Sequence, residues 1–261
     1  MASVRPKKAL GQHFLTDHGV AARIAATLDA APSLPVLEVG PGTGVLTQFL
    51  IDAGRDLRVV EIDTESVDWL RTHFPALDGR IIEGDFLQLP LDAIFDGKPF
   101  ALIGNYPYNI SSQIFFHMLD YRELVPFCSG MLQKEVAERL AAPAGTKARG
   151  ILSVLLQLWY DVSYLFTVPP GVFNPPPKVH SGVVELRRNR RTALPCSEAL
   201  LKTVVKTTFG QRRKTIRNSL RGLLPASATM PDTPLLGMRP EQLSVDQFIE
   251  LTLGLESLRA Q

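Results

Sequence analysis

"VLEVGPGTGVLT", residues 36–47, decides the fold of this chain. Val36–Val39 reads as a short buried strand, and from Val45 the apolar positions Val45, Leu46, Phe49 and Leu50 recur at helical spacing. Between strand and helix stand Gly40, Gly42 and Gly44. Glycines there let the backbone turn sharply and approach a ligand closely, and the helix that follows has free amide groups in its first turn. Working outward, strands are expected at "LRVVEI" (57–62), "RIIEG" (80–84), "FALIG" (100–104), "FCSGML" (127–132), "VSYLFTV" (162–168) and "SGVVELR" (181–187). Helices are expected at 134–142 and 150–160. Such alternation predicts a parallel sheet with crossover helices. After "RRNRR" (187–191) the pattern turns wholly helical. The expectation is therefore an α/β, Rossmann-like domain over residues 1–187 and a smaller all-α domain over 188–261.

Acids follow the glycine loop at strand ends. Glu61 lies 21 residues beyond Gly40, where an open parallel sheet offers a carboxylate to the hydroxyls of a ribose. Asp85 ends the next strand, placed to accept from an adenine amino group, and Ile62 and Phe86 beside these acids complete the candidate cofactor set. A dinucleotide loop has the spacing G-x-G-x-x-G and seats a pyrophosphate on the helix N-terminus. Here the spacing is G-P-G-T-G, and Glu38 precedes the first glycine by two residues. A carboxylate there repels a pyrophosphate and favours a cation. S-adenosylmethionine carries a sulfonium and an ammonium and no phosphate, so it fits better than a dinucleotide.

The fourth strand runs into "GNYPYNIS" (104–111). Its core, Asn105-Tyr106-Pro107-Tyr108, matches the [N/D]-x-P-[Y/F] pattern of methyltransferases that act on planar amino groups. An exocyclic amine of adenine is a poor nucleophile because its lone pair is delocalised into the ring. Acceptors around both N–H bonds draw the nitrogen toward tetrahedral geometry and stabilise the charge that develops. Asn105 offers its side-chain oxygen, and Tyr106, held extended before proline, offers its main-chain carbonyl. Tyr108 supplies a flat face for a base, a contact worth about 1–3 kcal/mol. No general base is needed, because the methylated ammonium loses its proton to water.

Composition bounds the rest. The 261 residues are 45% hydrophobic, enough for a large core. No apolar run approaches the roughly 18–20 residues of a membrane span, and with no apolar stretch in "MASVRPKKALGQHFL" no signal peptide is expected. Cys128 and Cys196 have no ligand-like spacing and are expected to be reduced thiols of a cytoplasmic protein, with no metal bound. The net charge of +2 is unevenly spread. Residues 1–186 hold 15 Lys+Arg against 20 acids, residues 187–221 hold 11 against one, and residues 222–261 hold two against five. A basic block beside an acidic body points to a polyanionic partner. In "QRRKTIRNSLRGLL" (211–224), Ile216, Leu220 and Leu223 make an apolar helical stripe, with Arg213, Arg217 and Arg221 on a neighbouring face. With Arg187, Arg188, Arg190, Arg191, Arg212 and Lys214 they form the candidate set for binding that polyanion. Contacts of that kind position a nucleic acid through its phosphates rather than read it.

Taken together, "KKALGQHFL" (7–15), "VLEVGPGTGVLT", "VVEID", "GDF", "GNYPYNIS", "MLQKEVAERL" (131–140), "FNPPPKVHSGVV" (173–184) and "QRRKTIRNSL" (211–220) resemble the ribosomal RNA adenine N6,N6-dimethyltransferase family, bacterial small-subunit type, over nearly the whole chain. The resemblance implies a class I S-adenosylmethionine-dependent methyltransferase sheet, and methylation of two adjacent adenines in the terminal hairpin of small-subunit rRNA on a late assembly intermediate. It places cofactor contacts at His13, Leu15, Gly40, Glu61, Asp85 and Asn105, with the N-terminal segment folded over the cofactor. It makes Phe173 a second aromatic wall across from Tyr108, so that a flipped base enters between two rings. His13 departs from the asparagine common at its place, and Tyr106 from the common leucine. The expected partner is the small ribosomal subunit, met by a monomer. Large-subunit rRNA methylases, DNA adenine or protein glutamine methylases, and a non-catalytic assembly factor are the alternatives. Erosion of Glu38, Glu61 and Asp85 would mark the last, and all three stand.

Overall fold

The computed structural model describes residues 4–224 and 233–259. In chain order the elements are β1 (Phe14–Leu15), α1 (His18–Ala25), β2 (Val36–Val39), α2 (Val45–Asp52), β3 (Leu57–Glu61), α3 (Thr64–His73), β4 (Ile81–Glu83), β5 (Ala101–Asn105) and α4 (Ser111–Asp120). They continue with β6 (Phe127–Gln133), α5 (Lys134–Ala141), α6 (Ile151–Gln157), β7 (Tyr160–Val168), β8 (Phe173–Asn174), β9 (Ser181–Arg188), α7 (Glu198–Gly210), α8 (Ile216–Leu220) and α9 (Val245–Arg259).

The chain divides into two compact units. One comprises Met1–Glu138 and Asp161–Arg188 and holds a seven-stranded sheet in the order β4-β3-β2-β5-β6-β9-β7. Its strands β4 through β6 run parallel, and β9 is antiparallel to β6. β2 and β5 are apolar throughout except Glu38 and Asn105, as strands covered on both faces must be. The chain leaves β2 toward β3 and β4, then returns to lay β5 along the other side of β2. Such a switch point opens a crevice at the carboxyl ends of the two strands. Val39 pairs with Gly104, so the glycine loop and Asn105 emerge side by side.

The second unit comprises Arg139–Tyr160 and Asn189–Gln261. A single boundary near residue 187 therefore describes it incompletely, because the 139–160 segment crosses into the helical unit. There Arg149, 1% exposed, donates to the Ala142 carbonyl at 2.7 Å and to Gln157 Oε1 at 2.6 Å, tying that segment together. The helix expected over 150–160 stops at Gln157, and Tyr160 begins β7. Leu152 to Leu156 and Leu158 are all buried, so periodicity alone does not place the helix end.

The continuous basic helix is also corrected. α7 ends at Gly210, and Gln211 to Lys214 form a turn closed by the Lys214 amide on the Gln211 carbonyl at 2.8 Å. Thr215 is extended, and α8 covers only Ile216–Leu220. Ile216 and Leu220 are fully buried, as their spacing requires, but Arg212, Arg213 and Lys214 lie in the turn and Arg221 opens a short 3-10 segment. Arg213, Arg217 and Arg221 thus do not form a row on one helix.

Candidate active site

At the switch point a cleft is lined by Leu10 to Phe14 from the N-terminal strap, by Gly40, Gly42, Glu61 and Ile62, and by Asn105 to Tyr108. All of these belong to the first unit. Gly40, Gly42 and Gly44 each have positive φ (67°, 56° and 85°), so the loop takes a backbone path that other residues rarely follow. A β-carbon at Gly42 would sit 2.8 Å from the Phe14 ring, which rests on the loop. Gly44 faces Phe74 rather than the cleft.

Glu61 is buried and bonded by three backbone amides. Its Oε2 accepts from Gly42 N at 3.1 Å, and its Oε1 accepts from Ile62 N at 2.9 Å and Asp63 N at 3.0 Å. Burial pushes its carboxyl up, against those bonds. Ile62 is 50% exposed on the cleft wall, an apolar surface beside a carboxylate. Glu38 does not reach the lining. It is 1% exposed, its Oε2 lacks a partner, and burial pushes its carboxyl up to about 8. Burial thus disfavours the negative charge expected there for a cationic ligand. Asp85 and Phe86 also lie outside the lining: Asp85 Oδ1 accepts from Leu87 N at 2.9 Å, and Phe86 packs edge-on against His117.

Asn105 Nδ2 donates to the His13 carbonyl at 3.0 Å. A carbonyl only accepts, so the amide orientation follows from chemistry, and Oδ1 is left as the acceptor. His13 Nδ1 faces the Pro175 carbonyl at 2.8 Å and is therefore the protonated ring nitrogen. Tyr108 Oη meets the buried Ser181 Oγ at 2.5 Å, which fixes the plane of its ring.

The aromatic slot is corrected. Phe173 is 4% exposed and packs in the core with Leu15, to which β8 pairs it across β1. The ring across from Tyr108 is instead that of His13, at 5.3 Å between centroids and tilted 32°. At that separation the two rings are in contact with one another. Leu15, expected at the cofactor, is likewise core.

The ring of Tyr106, which the sequence left without a role, points away from the chemistry. It is 1% exposed, donates to the Ser129 carbonyl at 2.8 Å, lies 3.3 Å from Cys128 Sγ, and meets Phe115 edge-on. Tyr106→Phe is expected to cost about 1–2 kcal/mol in a urea titration, with ligand affinity of the cleft unchanged. Equal losses of stability and affinity would overturn a role confined to anchoring.

Sequence reasoning missed Leu10, Gly11, Gln12 and Phe14 as lining residues, although "KKALGQHFL" was the signal that held them. In the second unit, Arg191 pairs with Asp246 at 2.7 Å and Arg212 with Glu241 at 3.7 Å. In the first, Arg187 pairs with Glu185 at 2.5 Å and Arg188 with Glu123 at 3.0 Å. Arg190, Arg213, Arg217 and Arg221 are exposed.

Comparison with known proteins adds the following. A family model described as ribosomal RNA adenine dimethylase matches residues 4–254. The chain is 65% identical over 257 residues to a ribosomal RNA small subunit methyltransferase A of Porphyromonas gingivalis, covering 98% of this chain and all of the relative. It is 52% identical to the protein of that name in Flavobacterium johnsoniae, covering 98% of each. Among solved structures it resembles a dimethyladenosine transferase of Plasmodium falciparum, with TM-score 0.78, 23% identity, and 95% and 98% of the two chains covered. The 23S rRNA methyltransferase ErmE gives TM-score 0.65 at 28% identity, with 92% and 99% covered.

Proposed function

This chain belongs to the ribosomal RNA adenine dimethylase family, and we propose that it transfers methyl groups from S-adenosylmethionine to N6 of two adjacent adenines in the 3′-terminal hairpin of small-subunit rRNA. The chain is an S-adenosylmethionine-dependent rRNA adenine dimethyltransferase. The observation that carries the reading is Asn105, its amide turned by the His13 carbonyl so that Oδ1 is the acceptor at the mouth of the glycine cleft.

The residues fit the cofactor. Ile62 offers a purine an apolar face, exposed as few large aliphatic side chains here are. Glu61 stands at the strand end where a ribose is held, and the Gly40–Gly42 backbone leaves the approach open. When bound, S-adenosylmethionine supplies an electrophilic methyl group. The protein's part is to hold the amine. Asn105 Oδ1 and the Tyr106 carbonyl accept from its two N–H bonds, which localises the lone pair on nitrogen and stabilises the positive charge that grows there. Pro107 holds the carbonyl's direction, and Tyr108, braced by Ser181, carries the base. The proton is lost to water after transfer. Repeating the step on the same nitrogen gives N6,N6-dimethyladenosine.

The RNA is met by exposed arginines of the helical unit, Arg213, Arg217 and Arg221, and by Arg190. They position the RNA, while selection comes from RNA shape and from which bases can be splayed out. The partner is an assembling small subunit, engaged by a monomer in the cytoplasm. Among the described residues no helix is long and apolar enough to cross a membrane.

The test is labelled S-adenosylmethionine with small subunits lacking the mark, beside large subunits, duplex DNA and protein. Label is expected on adenine N6 of the small subunit alone. Arg217→Glu with Arg221→Glu should lower transfer at least tenfold at low salt, and by less at higher salt, where the phosphate contacts are screened. Label elsewhere, or none, would sink the reading.

A further inference from the structure

The strap that walls the cleft is tied through His13 to Asn105 and Pro175, and it is held at both ends as well. At one end β1 pairs with β8, Leu15 against Phe173. At the other, side chains of the strap converge on one carboxylate. Asp63, 2% exposed, takes Lys7 Nζ on Oδ1, and on Oδ2 takes Gln12 Nε2 at 3.2 Å and Ser66 Oγ at 2.9 Å. Gln12 Oε1 in turn accepts from the Lys7 backbone amide at 2.7 Å, and Lys7 Nζ lies 3.3 Å from Glu65. Burial pushes the Asp63 carboxyl up, yet the bonds from Lys7, Gln12 and Ser66 hold it below the ordinary range. The same turn holds the ribose acid, since Asp63 N donates to Glu61 Oε1. Strap and acid are thereby fixed to one two-residue stretch of backbone.

We propose that Lys7 and Asp63 are positioning residues for the cofactor. They latch residues 10–14 in place as the wall of the cleft and thereby set how tightly S-adenosylmethionine is held. The wall consists of Leu10 to Phe14, and nothing in the Lys7–Asp63 pair itself touches the cleft. The pair therefore acts on affinity through the strap, not on the methyl group or the amine. This inference rests on the reading of the cleft as the S-adenosylmethionine site.

The test compares full-length wild type, Lys7→Met and Lys7→Arg by calorimetric titration with S-adenosylmethionine. Amide hydrogen exchange over residues 10–15 is followed without cofactor, and turnover is measured at saturating cofactor. The Lys7 side chain is 39% exposed, so the fold is expected to survive its replacement, with a somewhat lower melting temperature because the buried Asp63 carboxylate loses its cation. Lys7→Met should raise Kd about 5- to 20-fold and speed exchange over residues 10–15. Turnover should stay within about twofold, and Lys7→Arg should behave as wild type. Asp63→Asn, read by the same titration, should move Kd in the same direction. Wild-type Kd and exchange in Lys7→Met would overturn the latch, as would equal losses in Lys7→Met and Lys7→Arg. Failure of wild type itself to bind S-adenosylmethionine would overturn the functional reading instead, and the exchange measurement would still report on the latch.

Discussion

Asn105→Ala is expected to lower single-turnover methyl transfer by about 10²–10³-fold, the usual loss when one preorganised group is removed from the developing charge. The size follows from geometry. The amide is not free to rotate toward solvent, because Nδ2 is held by the His13 carbonyl at 3.0 Å. Oδ1 is thus aimed before the substrate arrives, and little reorganisation accompanies reaction. Alanine removes the acceptor and also releases one tie of the strap, so cofactor affinity should fall as well, by a smaller factor. Measuring the rate at saturating S-adenosylmethionine separates the two. A rate within a few-fold of wild type would mean that the Tyr106 carbonyl suffices and that Asn105 serves only the strap.

The second large effect is on stability and appears as a pH dependence. Burial pushes Glu38 up to about 8, against 4.5 for the unperturbed group. For an acid whose folded value is raised, the folded state binds the extra proton, so stability falls as pH rises through the interval between the two values. The loss begins near pH 5 and is complete somewhat above pH 8. Its size for a fully buried group is of order 3–5 kcal/mol. Glu61 is raised by burial too and adds to the same trend. Cys128, pushed up to about 12, titrates above this window. Glu38→Gln is neutral at every pH and close in shape. It should match wild type near pH 5 and exceed it by a few kcal/mol at pH 8.5, read from urea titrations at the two pH values. Parallel profiles would show that Glu38 finds a charged partner in the folded protein.

Most of the sheet was legible because its strands are apolar runs separated by glycine and proline, and the stretches between them carry helical period. Glu61 and Asn105 end β3 and β5 and line the cleft, as the strand ends suggested for the same reason. What failed depended on packing or on local hydrogen bonds. Glu38 and Glu61 look alike in sequence, yet one is sealed in β2 and the other takes three amides at the cleft. The helical stripe of Ile216 and Leu220 was real but five residues long, since nothing in "QRRKT" announces a turn. Phe173 was read as a wall from the family resemblance of the motif around it, whereas the β1–β8 pairing turns it inward. His13 took its place opposite Tyr108 through a bond to Pro175, 162 residues away, and sequence has no local sign of such a contact.

The ring of Tyr106 lies against two glycines of neighbouring strands. A β-carbon at Gly104 would come within 3.1 Å of it, and one at Gly130 within 2.5 Å of both the ring and the Gly104 carbonyl. Gly130 is outside the cleft and touches no substrate, yet it controls how deep the tyrosine sits and so where the next carbonyl points. Positions 104, 106 and 130 therefore share one fixed volume. A larger residue at either glycine would also meet a main-chain carbonyl at 2.5 Å, that of Val39 for position 104 and that of Gly104 for position 130, so giving up the ring at 106 would not by itself open them. The chemistry at Asn105 thus has its evolutionary freedom limited from the far side of the sheet.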